Sequence, residues 1–343
     1  MRVNFLAPHV RIAGGVRAIL TYADRLAGRG HEVSVIVPAG GAVKAWWGNR
    51  ADRRVDWMPD FRGCLRWVSR WDPAALPEAD ALVATAWQSA AAVADAPARA
   101  GRKHYLVQHY ESLYHGEPAR VDATYRLPLR KICISTWLSE IMRDKFASAS
   151  DVIVTPVDPG LFHEGPREAD DGRLRVLMLH HEYAWKGVAE GLEAVARVRA
   201  RHPRLALVGF GVKPPRGAPP YEEFHANLPQ ARLAWLYRRC PIYLCPSWDE
   251  GLGMPPMEAM ACGAALATYD NGGCRDYAHD GETALVAPRR DVGALTRALE
   301  RLAEDAALRE RLARAGQAFI RREFDWDRAT ARLETILGER QKV

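Results

Sequence analysis

The sequence is short of the features that mark metal, redox and membrane-spanning chains. Its six cysteines (Cys64, Cys133, Cys240, Cys245, Cys262, Cys274) form no C-x-x-C pair and no zinc-type spacing with histidine, which argues against a redox motif or a structural zinc site. Cys133 and Cys245 lie inside apolar runs, where reduced thiols are commonly buried. That usage fits the cytosol. Long uncharged apolar stretches are missing as well. The Ala-rich run from Ala79 to Ala100 is broken by Gln88, Asp95 and Pro97, so no bilayer span is expected. Met1 to Pro8 is too short for the apolar region of a signal peptide and reads as a strand. Gly209-Phe-Gly211 is followed by Val212-Lys213-Pro214, and without a third glycine it is a poor dinucleotide fingerprint. No zinc finger, helix-turn-helix or RNP-like aromatic string is present, which counts against nucleic acid as a partner.

What is there suits two domains of ordinary size. The chain has 343 residues, 48% hydrophobic and 26% charged, a soluble globular composition. Charge is uneven: residues 1–150 carry 21 Lys+Arg against 14 Asp+Glu, while the remainder is nearly balanced. A basic first half can attract an anionic membrane surface or an acidic acceptor, or simply be solvated.

Apolar runs alternate with amphipathic patterns. Val3–Pro8, Glu32–Val37, Ala81–Thr85, Lys103–Gln108, Lys131–Ser135 and Asp151–Thr155 read as strands, with helices at Val16–Arg29 and Trp137–Phe146. The prolines, glycines and acids from Pro156 to Gly172 read as a linker. A second series follows, with strands at Leu174–Leu179, Leu205–Gly209, Ile242–Pro246, Ala264–Tyr269 and Thr283–Val286. Helices are expected at Val188–Arg201, Ala231–Arg239, Asp291–Glu304 and Ala307–Phe324. Such alternation predicts parallel sheets with helices on both faces, and ligands bind beyond the carboxyl ends of such strands.

The densest signal is Glu250-Gly-Leu-Gly-Met-Pro-Pro-Met-Glu258. Gly251 and Gly253 admit close backbone approach, Pro255 and Pro256 suit a first helical turn, and Gly263 suits the stop. A glycine loop feeding a helix N-terminus favours an anion, and carboxylates accept from sugar hydroxyls. Together they suit a sugar joined to a phosphate.

That string, with Glu258-Ala-Met-Ala-Cys-Gly263, resembles the signature of the retaining glycosyltransferases of family 4. The resemblance covers nearly the whole chain. It implies an α/β fold of the GT-B type, with two Rossmann-like doubly wound domains facing across a cleft. Residues 1–157 would bind acceptor, joined by the C-terminal segment 326–343, and residues 172–325 would bind the nucleotide-sugar donor. By the same resemblance, Glu250 sits at the donor sugar, Gly251, Leu252, Gly253, Met254 and Pro255 hold sugar and diphosphate, and Glu258 grips the ribose. Lys186, in His180-His-Glu-Tyr-Ala-Trp-Lys-Gly187, fits the family's phosphate lysine. The family's arginine is absent there. His181 stands near its place, and Arg17 is another candidate; the choice stays open at this point. Gly14 and Gly15 match the glycine turn toward the donor phosphate, His109 matches the histidine that contacts sugar or acceptor, and Gly209 falls near the base. Glu111 is placed to help an acceptor hydroxyl lose its proton.

The activity implied is transfer from a UDP-, GDP- or TDP-sugar to an acceptor hydroxyl, with no metal and no further cofactor, in surface polysaccharide, lipopolysaccharide or other glycoconjugate synthesis. The D-x-D string Asp325-Trp-Asp327 precedes a terminal helix and reads as a cap rather than a metal site. Acceptors left open are a glycan, a lipid-linked sugar or a small molecule, at a cytoplasmic location with peripheral membrane association open. The rival readings are a sugar-nucleotide-binding protein without turnover, and an epimerase or phosphorylase on the same scaffold.

Overall fold

The apolar runs become interior strands of two parallel sheets. The computed structural model describes residues 1–11, 13–50, 55–166, 171–215, 217 and 220–339. Two compact units emerge: Met1–Thr155 together with the chain from Asp327 onward, and Pro156–Trp326.

In the first unit the strands are β1 (Arg2–Leu6), β2 (Glu32–Pro38), β3 (Cys64–Val68), β4 (Ala81–Ala84), β5 (Arg102–Val107), β6 (Arg130–Cys133) and β7 (Ser150–Val152). Helices α1 (Gly14–Gly28), α2 (Ala42–Arg50), α3 (Trp87–Ala94), α4 (Pro118–Tyr125) and α5 (Thr136–Phe146) connect them. The sheet runs β3-β2-β1-β4-β5-β6-β7, parallel throughout. Val3, Phe5, Val35, Val83 and Ile132 are fully or almost fully buried, each contributing about 2 kcal/mol by leaving water. Ser135 caps α5 by accepting from Leu138 N.

The second unit holds β8 (Leu174–Leu179), β9 (Leu205–Gly211), β10 (Glu223–Ala226), β11 (Ile242–Cys245), β12 (Ala265–Tyr269) and β13 (Leu285–Ala287). Its helices are α6 (Val188–Arg199), α7 (Gln230–Arg239), α8 (Met254–Ala261), α9 (Val292–Glu304) and α10 (Ala306–Glu323). The order is β10-β9-β8-β11-β12-β13, again parallel. Asp291 and Asp305 cap α9 and α10 through Ala294 N and Leu308 N. Val176, Leu207, Leu244 and Ala267 line the core between sheet and helices.

In both sheets the chain starts at an inner strand, winds outward one way, then returns to the other side of that strand. The reversal falls between β1 and β4 in one unit and between β8 and β11 in the other. A crevice opens at such a reversal, because the loops on either side depart to opposite faces.

Helix α11 (Trp326–Gly338) brings the chain back to the first unit. Asp327 pairs with Arg25 at 3.0 Å, Glu334 with Arg29 and His31, and Leu337 O accepts from Arg102. Asp327 of the D-x-D string therefore serves a salt bridge at the start of a helix. Of the stretch read as a linker, residues 167–170 lie outside the described residues. Phe162, just before them, is buried against Tyr237 in the second unit. Among the described residues no helix is long and apolar enough to cross a membrane.

Candidate active site

The reversal in the second sheet is spanned by an ion pair. Lys186 arrives on the loop after β8, Glu250 on the loop after β11, and Lys186 Nζ donates to Glu250 Oε1 at 2.7 Å. Both side chains are largely buried, 19% and 12% exposed. Two loops 64 residues apart are thus joined at the carboxyl edge of the sheet.

The backbone beneath each partner is tightly fixed. Lys186 ends a short 3-10 turn, Ala184–Lys186, that stops at Gly187 in the left-handed region (φ 63°). A Cβ on Gly187 would stand 1.9 Å from Pro246 O, so only glycine lets the two loops touch. Trp248 N also donates to Trp185 O at 2.7 Å. Glu250 continues the sheet by bridging to Gly272, its N–H donating to Asn271 O at 2.9 Å. Gly273 comes so close that a Cβ would lie 2.7 Å from Glu250 O. Gly253 (φ 91°) then turns the chain into α8, and Tyr277 OH donates to its carbonyl.

Beside the pair, a cavity of about 10 Å³ lined by Ser247, Pro255 and Pro256 has room for one water at most. An anion would compete with Glu250 for the ammonium, and a hydroxyl would compete with Lys186 for the carboxylate.

Several expectations change. His181 was a candidate cation in place of the missing arginine. Its Nδ1 accepts from Tyr183 N at 3.1 Å, so that nitrogen carries no proton. Burial and then the nearby Lys186 push its pKa below the ordinary 6.5. The ring is therefore largely neutral at neutral pH in the ligand-free chain. Gly209 was expected after its strand; it lies buried within β9, where a Cβ would meet the Tyr221 and Phe224 rings at 2.6 and 2.7 Å. It makes room for aromatic packing. Pro255 has no N–H to offer, so the backbone donors of this loop are those of Gly251, Leu252, Gly253 and Met254. Glu258 is 2% exposed and accepts from Tyr237 OH at 3.0 Å, a buried carboxylate where an open one was expected.

Sequence reasoning missed the basic pair after β13. Arg289 bonds Trp248 O and the Asp249 carboxylate. Arg290 sits in the left-handed region (φ 61°), its guanidinium 3.9 Å from the Trp248 ring centroid. A non-glycine residue there stores strain, which in a loop beside a site deserves functional scrutiny. The available signal was Pro288-Arg-Arg-Asp291 directly after a strand.

The remaining candidates lie in the first unit. Gly14 and Gly15 open α1, whose N-terminus has no side-chain cap. Gly15 packs on the Gln108 amide, which donates to Thr85 O. Arg17 is half-buried one turn later. His109 follows β5, half-buried, with the rings of Tyr114 and His115 each 6.1 Å away. Glu111 accepts from Trp87 N and Tyr105 OH. Burial raises its pKa to about 7, against those two hydrogen bonds.

Comparisons with known proteins agree with this architecture. Residues 163–319 match the family model for glycosyl transferases group 1. The O-antigen biosynthesis protein RfbC of Myxococcus xanthus is 33% identical over 74% of this chain and 20% of its own length. The phosphatidyl-myo-inositol mannosyltransferase of Mycolicibacterium smegmatis is 26% identical over 100% of this chain and 96% of its own. Among solved structures, Anabaena HepE in complex with UDP-glucose superposes with a TM-score of 0.78 at 16% identity, covering 98% and 99% of the two chains. The fold is that of the GT-B glycosyltransferases. The chain spans between a fifth and about half the length of the first curated relatives it matches. Over residues 163–319 the chain is similar to the glycosyl transferases group 1 family.

Proposed function

We propose that the chain is a retaining glycosyltransferase that moves a sugar from a UDP-, GDP- or TDP-sugar to an acceptor hydroxyl. One observation carries the reading: the Lys186–Glu250 bridge across the strand reversal of the second sheet. Lys186 binds the diphosphate and stabilises the charge that grows on it as the C1–O bond to phosphate breaks. Glu250 accepts hydrogen bonds from the sugar, and Gly251–Met254 donate backbone N–H groups to sugar or phosphate. Glu258 holds the ribose once Tyr237 yields part of its bond. In the first unit, Gly14, Gly15 and Arg17 serve the phosphates and His109 positions sugar or acceptor. The acceptor oxygen attacks C1 on the face the diphosphate leaves. Its proton passes to the departing phosphate oxygen, so the anomeric configuration is kept. No metal is called for where an ammonium supplies the positive charge.

The printed role of RfbC in O-antigen biosynthesis and the UDP-glucose held by HepE support a surface-glycan assignment and a nucleotide-sugar donor. A cytoplasmic enzyme working on a lipid-linked acceptor at the membrane face fits this reading.

The test is a panel of UDP-, GDP- and TDP-sugars, following nucleoside diphosphate release. One donor should be hydrolysed slowly, and Lys186→Ala and Glu250→Ala should each lower release about a hundredfold or more. Binding without release would make the chain a sugar-nucleotide-binding module. Sugar 1-phosphate released from a glycan would make it a phosphorylase. No binding of any donor would end the proposal.

A further inference from the structure

Helix α2 carries an exposed apolar face that no described residue covers. It is pinned to the edge strand β3: Asn49 Nδ2 donates to Trp67 O, and Trp67 N donates to Asn49 Oδ1, both at 2.8 Å. Gly48 lies so close to the Trp67 ring that a Cβ would stand 2.7 Å from it. Its orientation is therefore set, with only Ala45 and Gly48 buried. Away from the sheet, Val43, Trp46 and Trp47 are 71%, 54% and 59% exposed. Apolar side chains of that size, held outward by specific bonds, mark a surface that meets something other than water.

On α2 and β3 themselves the charge has one sign. The helix has no acid; it carries Lys44 and Arg50, and the Arg50 guanidinium lies 5.4 Å from the Trp46 ring centroid. On β3 and just after it, Arg66 and Arg70 are exposed beside a groove of about 330 Å³ that Asn49 and Trp67 also line. Asp72 shares the groove, but its carboxylate caps Ala74 N. Five of the eleven tryptophans fall between residues 46 and 71.

We propose that this face docks on the anionic surface of a lipid bilayer. Trp46, Trp47 and Val43 enter the boundary between headgroups and acyl chains, where an indole finds both apolar surroundings and hydrogen-bond partners. Lys44, Arg50, Arg66 and Arg70 meet lipid phosphates. A second copy of the chain fits less well, because it would press this basic set against itself. The proposal gives a surface to the membrane-face reading above, and it stands or falls apart from transfer.

Sedimentation of the full chain with vesicles tests it, using phosphatidylcholine alone or with about a third phosphatidylglycerol. The chain should pellet with the anionic vesicles only, and less as salt rises. Trp46→Ala with Trp47→Ala should weaken binding about tenfold or more, and Lys44→Glu or Arg50→Glu at least about fivefold each. Thermal midpoints and donor binding should not move, because these side chains face outward. Lys186→Met with Glu250→Gln should pellet like the parent, which keeps failure of docking distinct from failure of transfer. Equal binding by the tryptophan variant, or none by the parent, overturns the proposal. So does a dimer in ultracentrifugation that the tryptophan variant splits, which would give the face to a second copy.

Discussion

The two sheets reverse at matching places and equip them differently. Where β1 and β4 part, the first unit presents α1, whose opening Ala13-Gly14-Gly15 leaves a helix N-terminus without a side-chain cap. Where β8 and β11 part, α8 opens with two prolines, so its first turn has fewer N–H groups to offer, and the fixed charges of Lys186 and Glu250 stand there. One reversal relies on backbone dipoles, the other on side-chain charge. Dipoles of a helix end contribute about 0.3–1 kcal/mol at an exposed site, whereas a buried charge left alone costs several times that. The second unit should therefore be far less tolerant of change.

Breaking the ion pair tests that contrast most severely. Lys186→Met would strand a buried carboxylate and should lower stability in denaturant by about 3–5 kcal/mol. Adding Glu250→Gln should restore most of it, while turnover stays abolished. Gly14→Ala leaves the helix dipole in place and adds only a methyl group, so it should cost turnover no more than about tenfold. Equal losses in the two units would erase the distinction.

Glycine substitutions sharpen it further. Gly187→Ala puts a methyl on a carbonyl oxygen at a left-handed residue, and should cost about 3 kcal/mol or more in a thermal or denaturant melt. Gly15→Ala brings a methyl to 3.1 Å from the end of the Gln108 side chain rather than onto backbone, and should cost about 1 kcal/mol or less. Comparable losses would mean that the Lys186 loop is less constrained than its contacts imply.

The interior strands were legible because burial on both faces leaves continuous apolar runs; Leu174–Leu179 is a strand in sequence and structure alike. The edges were not. β3 reads Cys-Leu-Arg-Trp-Val and β10 reads Glu-Phe-His-Ala, half-buried and mixed in polarity. α2 buries too little to show a helical period. At the site, the glycine and proline grammar around Glu250 was readable because backbone geometry dictates those residues. The contact with Lys186 was not, since nothing local ties positions 64 apart. The neutral state of His181 depends on a bond to Tyr183 N and on burial, neither of which leaves a mark in sequence.

Glu111 makes a smaller test within the first unit. Its folded pKa of about 7 lies above the ordinary 4.5. Stability from the protonated acid is complete below pH 4.5 and is lost as pH rises through 7. Glu111→Gln keeps an acceptor for Trp87 N and cannot ionise. It should be more stable than the parent at pH 8 by about 2–3 kcal/mol, and close to it at pH 4.5. A constant difference across that range would remove the buried acid.

His181 bears on the same contrast from the other unit, with the smallest expected effect. Its pKa lies below 6.5, so from about pH 7 upward the imidazole is already neutral and its charge does not change. Protonation at lower pH would set a cation beside Lys186 and put a proton on the nitrogen that accepts from Tyr183 N. Stability tied to the neutral ring is present above pH 6.5 and is lost as pH falls through the depressed pKa. His181→Gln should thus change transfer less than about tenfold at pH 8, and the ratio of parent to variant rates should stay level from pH 7 to 9. A ratio that declines over that interval would restore His181 as the cation and leave Lys186 with only part of the phosphate charge.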